Sequence, residues 1–454
     1  MPAAGPNGAI HLGPPIDWAL VQVLRTRVSE RLSHLVSTAS PPMSARDKEQ
    51  AGKDIIVDLI GEHVADQVAA GQPRPTAPEQ QELARAVFDM LFRLGRLQPL
   101  IEDDRVENIL IFGHDRVFLE LMDGTLVQAS PVAGSDEELI EFISFLASRS
   151  ESNARTFSEA SPELLLRLDD GSRLTAIAWV TRRPQIRIRR HRLVVITLND
   201  LVGLGMMPTL AAGFLAAAVR RRLSIVVSGS PGSGKTTVVR GLCAEIDPEE
   251  QIVTAESEAE LFLDEQLPYV LPIEARPGTG EYGPDGRQAG EYTLTQAVMV
   301  AVRLNAQRTI VGEVRGAEAL PLLLSMQNGS GSISTTHARS ATDVIPKLVH
   351  CGQKGGPQYT SAMLTDAFTA CIDIVVQLDM KVVRQPDGTK KRVRRVVEIV
   401  AIGPGDTPGT TATTHVFKTG ADGFLRPHVL PDDLRVLAED GFDLAAFTAA
   451  QEVP

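Results

Sequence analysis

Residues 229–236 read Gly229-Ser230-Pro231-Gly232-Ser233-Gly234-Lys235-Thr236. They fill the pattern Gly-x-x-x-x-Gly-Lys-[Ser/Thr] at every fixed position, and that pattern names a ligand, the phosphates of a nucleotide. The flanks agree. Leu223–Ser228 is a short apolar run suited to a buried parallel strand, and Thr237–Glu245 follows with helical spacing. Strand, glycine loop and helix form the unit that aims backbone N–H groups and a helix N-terminus at an anion. Lys235 is expected to neutralise the β- and γ-phosphates of ATP, and the Thr236 hydroxyl to coordinate Mg²⁺. Ser230, Pro231, Ser233 and Thr237 complete the expected nucleotide-contacting stretch.

The chain around this loop has 454 residues, too many for one core, so two or three domains are expected. A hydrophobic content of 43% supports globular folding, and a net charge of −12 argues against a chain-wide nucleic-acid coat. Three cysteines, Cys243, Cys351 and Cys371, form no Cys-x-x-Cys pair, so neither disulfides nor a zinc site is expected and a reducing compartment fits. The N-terminus lacks the charged start and apolar core of a signal peptide. The longest apolar stretch, Leu210–Val219, is too short to span a bilayer. A cytoplasmic protein with peripheral membrane contact is the expectation.

Composition and periodicity divide the chain into five parts. Residues 1–15 are rich in Pro and Gly and read as a flexible N-terminus. Residues 16–95 read as a helical bundle, broken at Ser40-Pro41-Pro42 and again at Gln72–Pro75. Residues 96–195 alternate short strands with one amphipathic helix, Asp136–Ser148, and include a hairpin of Glu163–Leu168 and Arg173–Val180 around Asp170-Gly171. Residues 196–210 read as a linker with a short helix. In residues 211–454, strands near 223–228, 251–256, 309–314 and 332–337 alternate with helices near 235–246, 293–305, 316–327 and 340–350. Such alternation implies a parallel sheet with phosphates at its carboxyl edge. Asp373–Val383 and Arg392–Ile402 flank Pro386-Asp387-Gly388 as a long hairpin.

ATP hydrolysis at a phosphate-binding loop needs an acid near Mg²⁺, a group that orients the attacking water, and cations for transition-state charge. Glu313 ends the run Thr309–Glu313, and Glu256 ends Gln251–Glu256, so both sit where such groups belong. His337 ends Ser332–His337, after Thr335 and Thr336. On spacing alone it suits a structural role as well as a γ-phosphate sensor.

These segments together resemble the secretion ATPases of type II and type IV secretion and pilus assembly, most of all those of tight-adherence pili. Gly229–Thr236 is similar to the family's Walker A. Ile252–Leu261 is similar to its aspartate box, Ile310–Ala319 to its atypical Walker B, and Gly331–Ala338 to its histidine box. Upstream, Leu97–Asp104, Val106–Ile111, Leu168–Ala176 and Ile186–Val202 resemble its N-terminal domain and linker.

The resemblance implies an α/β fold, with a RecA-like P-loop ATPase domain preceded by a smaller mixed α/β domain and the helical bundle. It implies that Glu313 polarises the attacking water, Glu256 helps hold Mg²⁺, His337 senses the γ-phosphate and Arg276 meets phosphates. One or more of Arg187, Arg189 and Arg190 would close the N-terminal domain over the nucleotide. A hexameric ring driving integral-membrane platform proteins is implied as well.

Three positions depart from the family's pattern. Ser257 stands where a second acid is usual, Gly329 where an earlier histidine is usual, and Asn305-Ala306-Gln307 where Arg-Pro-Asp is usual. Two other readings stay open, a nucleotide-binding regulator with little hydrolysis and a conjugation-type DNA-transfer ATPase. The basic run Lys390-Lys391-Arg392, with Arg394 and Arg395, fits strand-edge charge on a hairpin better than nucleic-acid binding.

Overall fold

The computed structural model describes residues 16–149, 156–190, 195–276, 278, 283, 288–327, 331–386 and 390–451. Gly329, residues 1–15 and the turn at Asp387-Gly388 lie outside them. Two units divide the chain, one almost entirely before residue 192 and the other after it.

In the first unit, local capping chemistry starts each of three helices. Asp17 accepts the N–H groups of Ala19 and Leu20 to open α1, Trp18–Thr38. Ser44 and Asp47 form a capping box at α2, Ala45–Ala69, and Thr76 and Glu79 another at α3, Ala77–Phe92. Each box satisfies two N–H groups that a helix start leaves without partners. Val21, Leu24, Leu59, Val87 and Met90 belong to a core of the bundle's own.

A short helix, α4 (Gln98–Glu102), leads to β1 (Val106–Phe112), β2 (Val117–Leu121) and β3 (Leu126–Ala129). After α5 (Asp136–Arg149) come β4 (Glu163–Arg167), β5 (Arg173–Ile177) and β6 (Gln185–Arg189). The sheet order is β3-β2-β1-β6-β5-β4, antiparallel throughout. Ile109, Ile111, Leu164, Ile186 and Ile188 share a core with Leu139 and Ile143 of α5. The hairpin expected around Asp170-Gly171 is present, but β5 stops at Ile177. Trp179 takes a left-handed φ of 62°, which breaks the extended run, and packs on Phe157 at 4.8 Å.

The second unit opens with α6 (Leu198–Gly203) and α7 (Thr209–Arg220), followed by β7 (Ile225–Gly229), α8 (Lys235–Cys243), β8 (Ile252–Glu256), β9 (Val270–Glu274), α9 (Leu294–Arg303) and β10 (Arg308–Val314). Then come α10 (Ala319–Gln327), β11 (Ile333–Thr336), α11 (Val344–Gln353), α12 (Ser361–Cys371), β12 (Ile374–Arg384), β13 (Lys390–Pro404), β14 (Thr411–Thr419), β15 (Leu425–Pro427) and α13 (Leu444–Gln451). Their nine strands run β15-β14-β13-β12-β7-β11-β10-β8-β9. From β12 to β9 neighbours are parallel. Side chains alternate between faces. Ile225, Val227 and Ile310 join one core, and Val226, Val311 and Val375 the other. Burial on both faces explains why these strands read as unbroken apolar runs.

Candidate functional site

The parallel order brings three carboxyl ends side by side. Strand β11 lies between β7 and β10, so the loop after β7, His337 after β11 and Glu313 near the end of β10 meet at one edge. The loop itself turns through left-handed glycines, Gly232 with φ 76° and Gly234 with φ 95°, and Gly234 precedes the first turn of α8. Backbone of this hand is costly for any residue with a Cβ. Burial of the sheet beneath leaves the loop held from below by β7.

Lys235 is 8% exposed. Its Nζ donates to the carbonyls of Gly229 at 3.2 Å and Ser230 at 3.3 Å and lies 3.0 Å from His337 Nδ1. On the other side of the imidazole, His337 Nε2 lies 2.7 Å from Glu313 Oε1. The distance is that of an ion pair, and Oε1 is buried against the imidazole. Glu313 Oε2 takes a hydrogen bond from Arg315 Nη2 at 2.5 Å, and the same carboxylate holds the Arg315 guanidinium above the usual arginine range. Loop lysine, histidine and strand-end glutamate thus form one continuous chain of contacts.

The second acid, Glu256, is tied into the turn after its strand. Glu256 is 4% exposed, and its carboxylate accepts the N–H groups of Glu260 at 3.0 Å and Leu261 at 3.1 Å. It packs against Gly312, where an added Cβ would sit 3.0 Å from Glu256 Cγ. The Thr236 hydroxyl instead donates to Glu260 Oε2 at 2.8 Å. Glu260 is a candidate site residue that sequence reasoning passed over. Its signal was present, as the last acid of the box ending at Leu261, but spacing does not reveal how the turn folds.

The expected arginines lie on other elements. Arg276 is exposed, and its Nε donates to the Gly290 carbonyl at 2.7 Å. Arg187 and Arg189 are exposed on β6 of the first unit. Arg190 Nη1 donates to the carbonyls of Asp103 and Val106, within its own sheet.

Beside the loop, Gly229, Ser230, Pro231, His337, Leu378 and Glu398 line part of a cavity of about 590 Å³. That volume lies in the range of ligand clefts. Hard oxygen donors are at hand, the Thr236 hydroxyl and the Glu260 carboxylate. Among the described residues, no group of three or more His, Cys, Asp or Glu could hold a metal alone. Such a pair suits Mg²⁺, which takes few protein ligands and fills its shell with water and phosphate oxygens. The three cysteines are unpaired, and burial pushes the Cys243 thiol up to about 12, which makes it an inert core residue. Among the described residues, no helix is long and apolar enough to cross a membrane.

Known proteins resemble this chain along much of its length. A protein of Mycobacterium tuberculosis named for conjugal transfer is 28% identical over 320 residues, covering 66% of this chain and 87% of its own. The type IV secretion system protein PtlH of Bordetella pertussis is 37% identical over 183 residues, covering 40% of this chain and 51% of its own. The solved structure of the Legionella pneumophila ATPase DotB matches at 18% identity with a TM-score of 0.46, covering 69% of this chain and 81% of that one. The family profile described as type II/IV secretion system protein matches residues 120–423. That span is more than half of the chain, and it holds the loop, Glu260, Glu313 and His337: the protein belongs to the type II/IV secretion system protein family.

Proposed function

We propose that this protein is an ATPase motor that powers pilus assembly or secretion across the cytoplasmic membrane, with a tight-adherence-type pilus as the leading system. The observation that carries the reading is the chain of contacts Lys235–His337–Glu313 beside the phosphate-binding loop. A strand-end carboxylate held in that place is suited to orient the attacking water.

Each residue has a task. Lys235 and the loop's N–H groups hold the β- and γ-phosphates. Glu313 orients the water, held in place by His337 on Oε1 and Arg315 on Oε2. His337 touches both Lys235 and Glu313, so a change at the terminal phosphate reaches the glutamate through one imidazole. Mg²⁺, arriving with the nucleotide, would neutralise phosphate charge, held by Thr236 and Glu260 with Glu256 bracing the turn between them. The exposed arginines Arg187, Arg189 and Arg276 are offered to phosphates on closure or by a neighbouring copy in a ring. A homohexamer, peripheral at the inner face of the cytoplasmic membrane and acting on integral-membrane platform proteins, fits a motor with these features.

Steady-state phosphate release from ATP and Mg²⁺, with Glu313→Gln as control, tests this. Turnover that rises with protein concentration and vanishes in the variant supports an assembling motor. Nucleotide binding with no turnover, even with membrane partners supplied, sinks the motor and favours a regulatory subunit.

The relative named for conjugal transfer favours a second reading, a DNA-transfer ATPase. It requires DNA to stimulate hydrolysis, with an effect that salt weakens steeply.

A further inference from the structure

The loop is held from above as well as from below. Arg394, on β13, donates through Nε to the carbonyl of Gly232 at 2.8 Å. The same peptide unit is fixed at its other end, where Ser233 N–H donates to the Ser230 carbonyl at 3.2 Å. Gly232 is a left-handed residue, so this carbonyl lies at a point where the chain must turn. The arginine itself projects from a rigid base. Two residues on, Val396 is 2% exposed and its N–H donates to the Met206 carbonyl at 2.8 Å. An added Cβ at Gly234 would lie 3.3 Å from Met206 Cε and 3.7 Å from Arg394 Cδ, so both side chains close over the loop.

We propose that Arg394 is a positioning residue for the phosphate-binding loop, linking its shape to the β12–β13 hairpin. This rests on the nucleotide reading above. Phosphate capture needs loop N–H groups aimed inward and carbonyls turned out. A guanidinium on the Gly232 carbonyl holds that orientation before the ligand arrives, and a hydrogen bond from a charged donor is about twice as strong as a neutral one. Because Arg394 sits on the hairpin arm, displacement of the hairpin would release the carbonyl and loosen the loop.

Calorimetric titration of the full chain with Mg²⁺-ADP tests the proposal without requiring turnover. Arg394→Ala and Arg394→Lys are both expected to raise the Kd about tenfold, with the melting temperature of the nucleotide-free protein little changed. Arg395→Ala, which loses only its bond to the Gly423 carbonyl and its stacking on Phe424, is expected to bind as the wild type does. In turnover assays KM should rise while kcat holds. Should Arg394→Ala fail to fold, Arg394→Lys, which keeps the stem and the charge, carries the test. A wild-type Kd in either Arg394 variant, or an equal loss in Arg395→Ala, overturns the proposal while leaving nucleotide binding intact. A wild-type protein that binds no ADP, like Lys235→Ala, overturns the nucleotide reading and this inference together.

Discussion

The hydroxyl of Thr236 donates to Glu260 at 2.8 Å, four residues beyond the glutamate that strand position singles out. Glu256 has a different task, capping the N–H groups of Glu260 and Leu261. The two carboxylates should therefore fail in different ways. Glu260→Gln is expected to raise the Mg²⁺ concentration for half-maximal turnover about tenfold, with the fold unaffected, since it alters a charge-assisted contact. Glu256→Ala is expected to cost about 1–3 kcal/mol of stability, because it strands buried backbone donors. Mg²⁺ titration of phosphate release and denaturant unfolding check the pair. Equal Mg²⁺ midpoints for Glu260→Gln and wild type would return the metal role to Glu256.

His337 bridges Lys235 and Glu313, and its removal should uncouple them. His337→Ala is predicted to lower kcat roughly a hundredfold, in the range of general acid–base and positioning groups, while Mg²⁺-ADP affinity changes little. Single-turnover phosphate release measured beside ADP titration separates the two effects. Lost binding with intact turnover per bound nucleotide would make His337 a loop prop and not a sensor.

Arg308 is fully buried at the start of β10. Its Nε and Nη2 donate to Glu250 at 3.0 and 3.2 Å, and Nη2 also reaches the Val219 carbonyl at 3.0 Å. Arg308→Ala leaves Glu250 buried opposite no buried cation and is expected to cost about 3–5 kcal/mol. Arg308→Met with Glu250→Leu should recover most of that loss, since the desolvation penalty goes with the charges. Denaturant midpoints of the wild type and both variants decide it. A loss in the pair as large as in the single variant would mean that the ion pair itself stabilises.

Asp89 gives the helical bundle a pH dependence. Burial raises its carboxyl from 3.8 to about 6, against the opposing pull of Arg85 at 3.8 Å. A carboxyl raised on folding binds protons more tightly folded than unfolded. Its contribution to stability is therefore highest below about pH 4, declines as pH rises to about 6, and stays low above that. The Asp89→Asn variant is expected to be more stable than wild type at pH 7, by up to about 3 kcal/mol, with the gap closing near pH 4. Thermal melts across this window check it, and a gap that does not narrow on acidification would refute the titration.

Much of this architecture was legible beforehand. The breaks at Ser40-Pro41-Pro42 and Gln72–Pro75 separated the three helices of the bundle, because proline acts on its immediate neighbours in the chain. The alternation of apolar runs and helical periods located β7, β8, β10 and β11 to within a residue or two. Other elements gave weaker signals. Strand β9 carries Pro272 and an exposed, irregular pattern, as an edge strand can. Helix α13 and strands β14 and β15 become evident only through packing, where Phe447 meets Phe417 edge to face at 5.4 Å and Phe417 meets Phe214 likewise at 5.6 Å. Those partners are far apart in the chain, so no local period marks them.

The sequence by itself determined the ligand class, the strand–loop–helix that would receive it, and the acids and histidine at strand ends. These depend on short-range chemistry: backbone freedom at Gly232 and Gly234, one lysine, one hydroxyl, and side-chain period. The tertiary structure alone decided which of these groups meet. Placing β11 between β7 and β10 sets His337 against Lys235, 102 residues away, and against Glu313. The fold of the turn after β8 decided that Glu260, and not Glu256, faces Thr236. It also brought Arg394 onto the Gly232 carbonyl from 162 residues away. Such meetings follow from how whole strands and their turns pack, an energy summed over segments distant in the chain, and no local pattern encodes it.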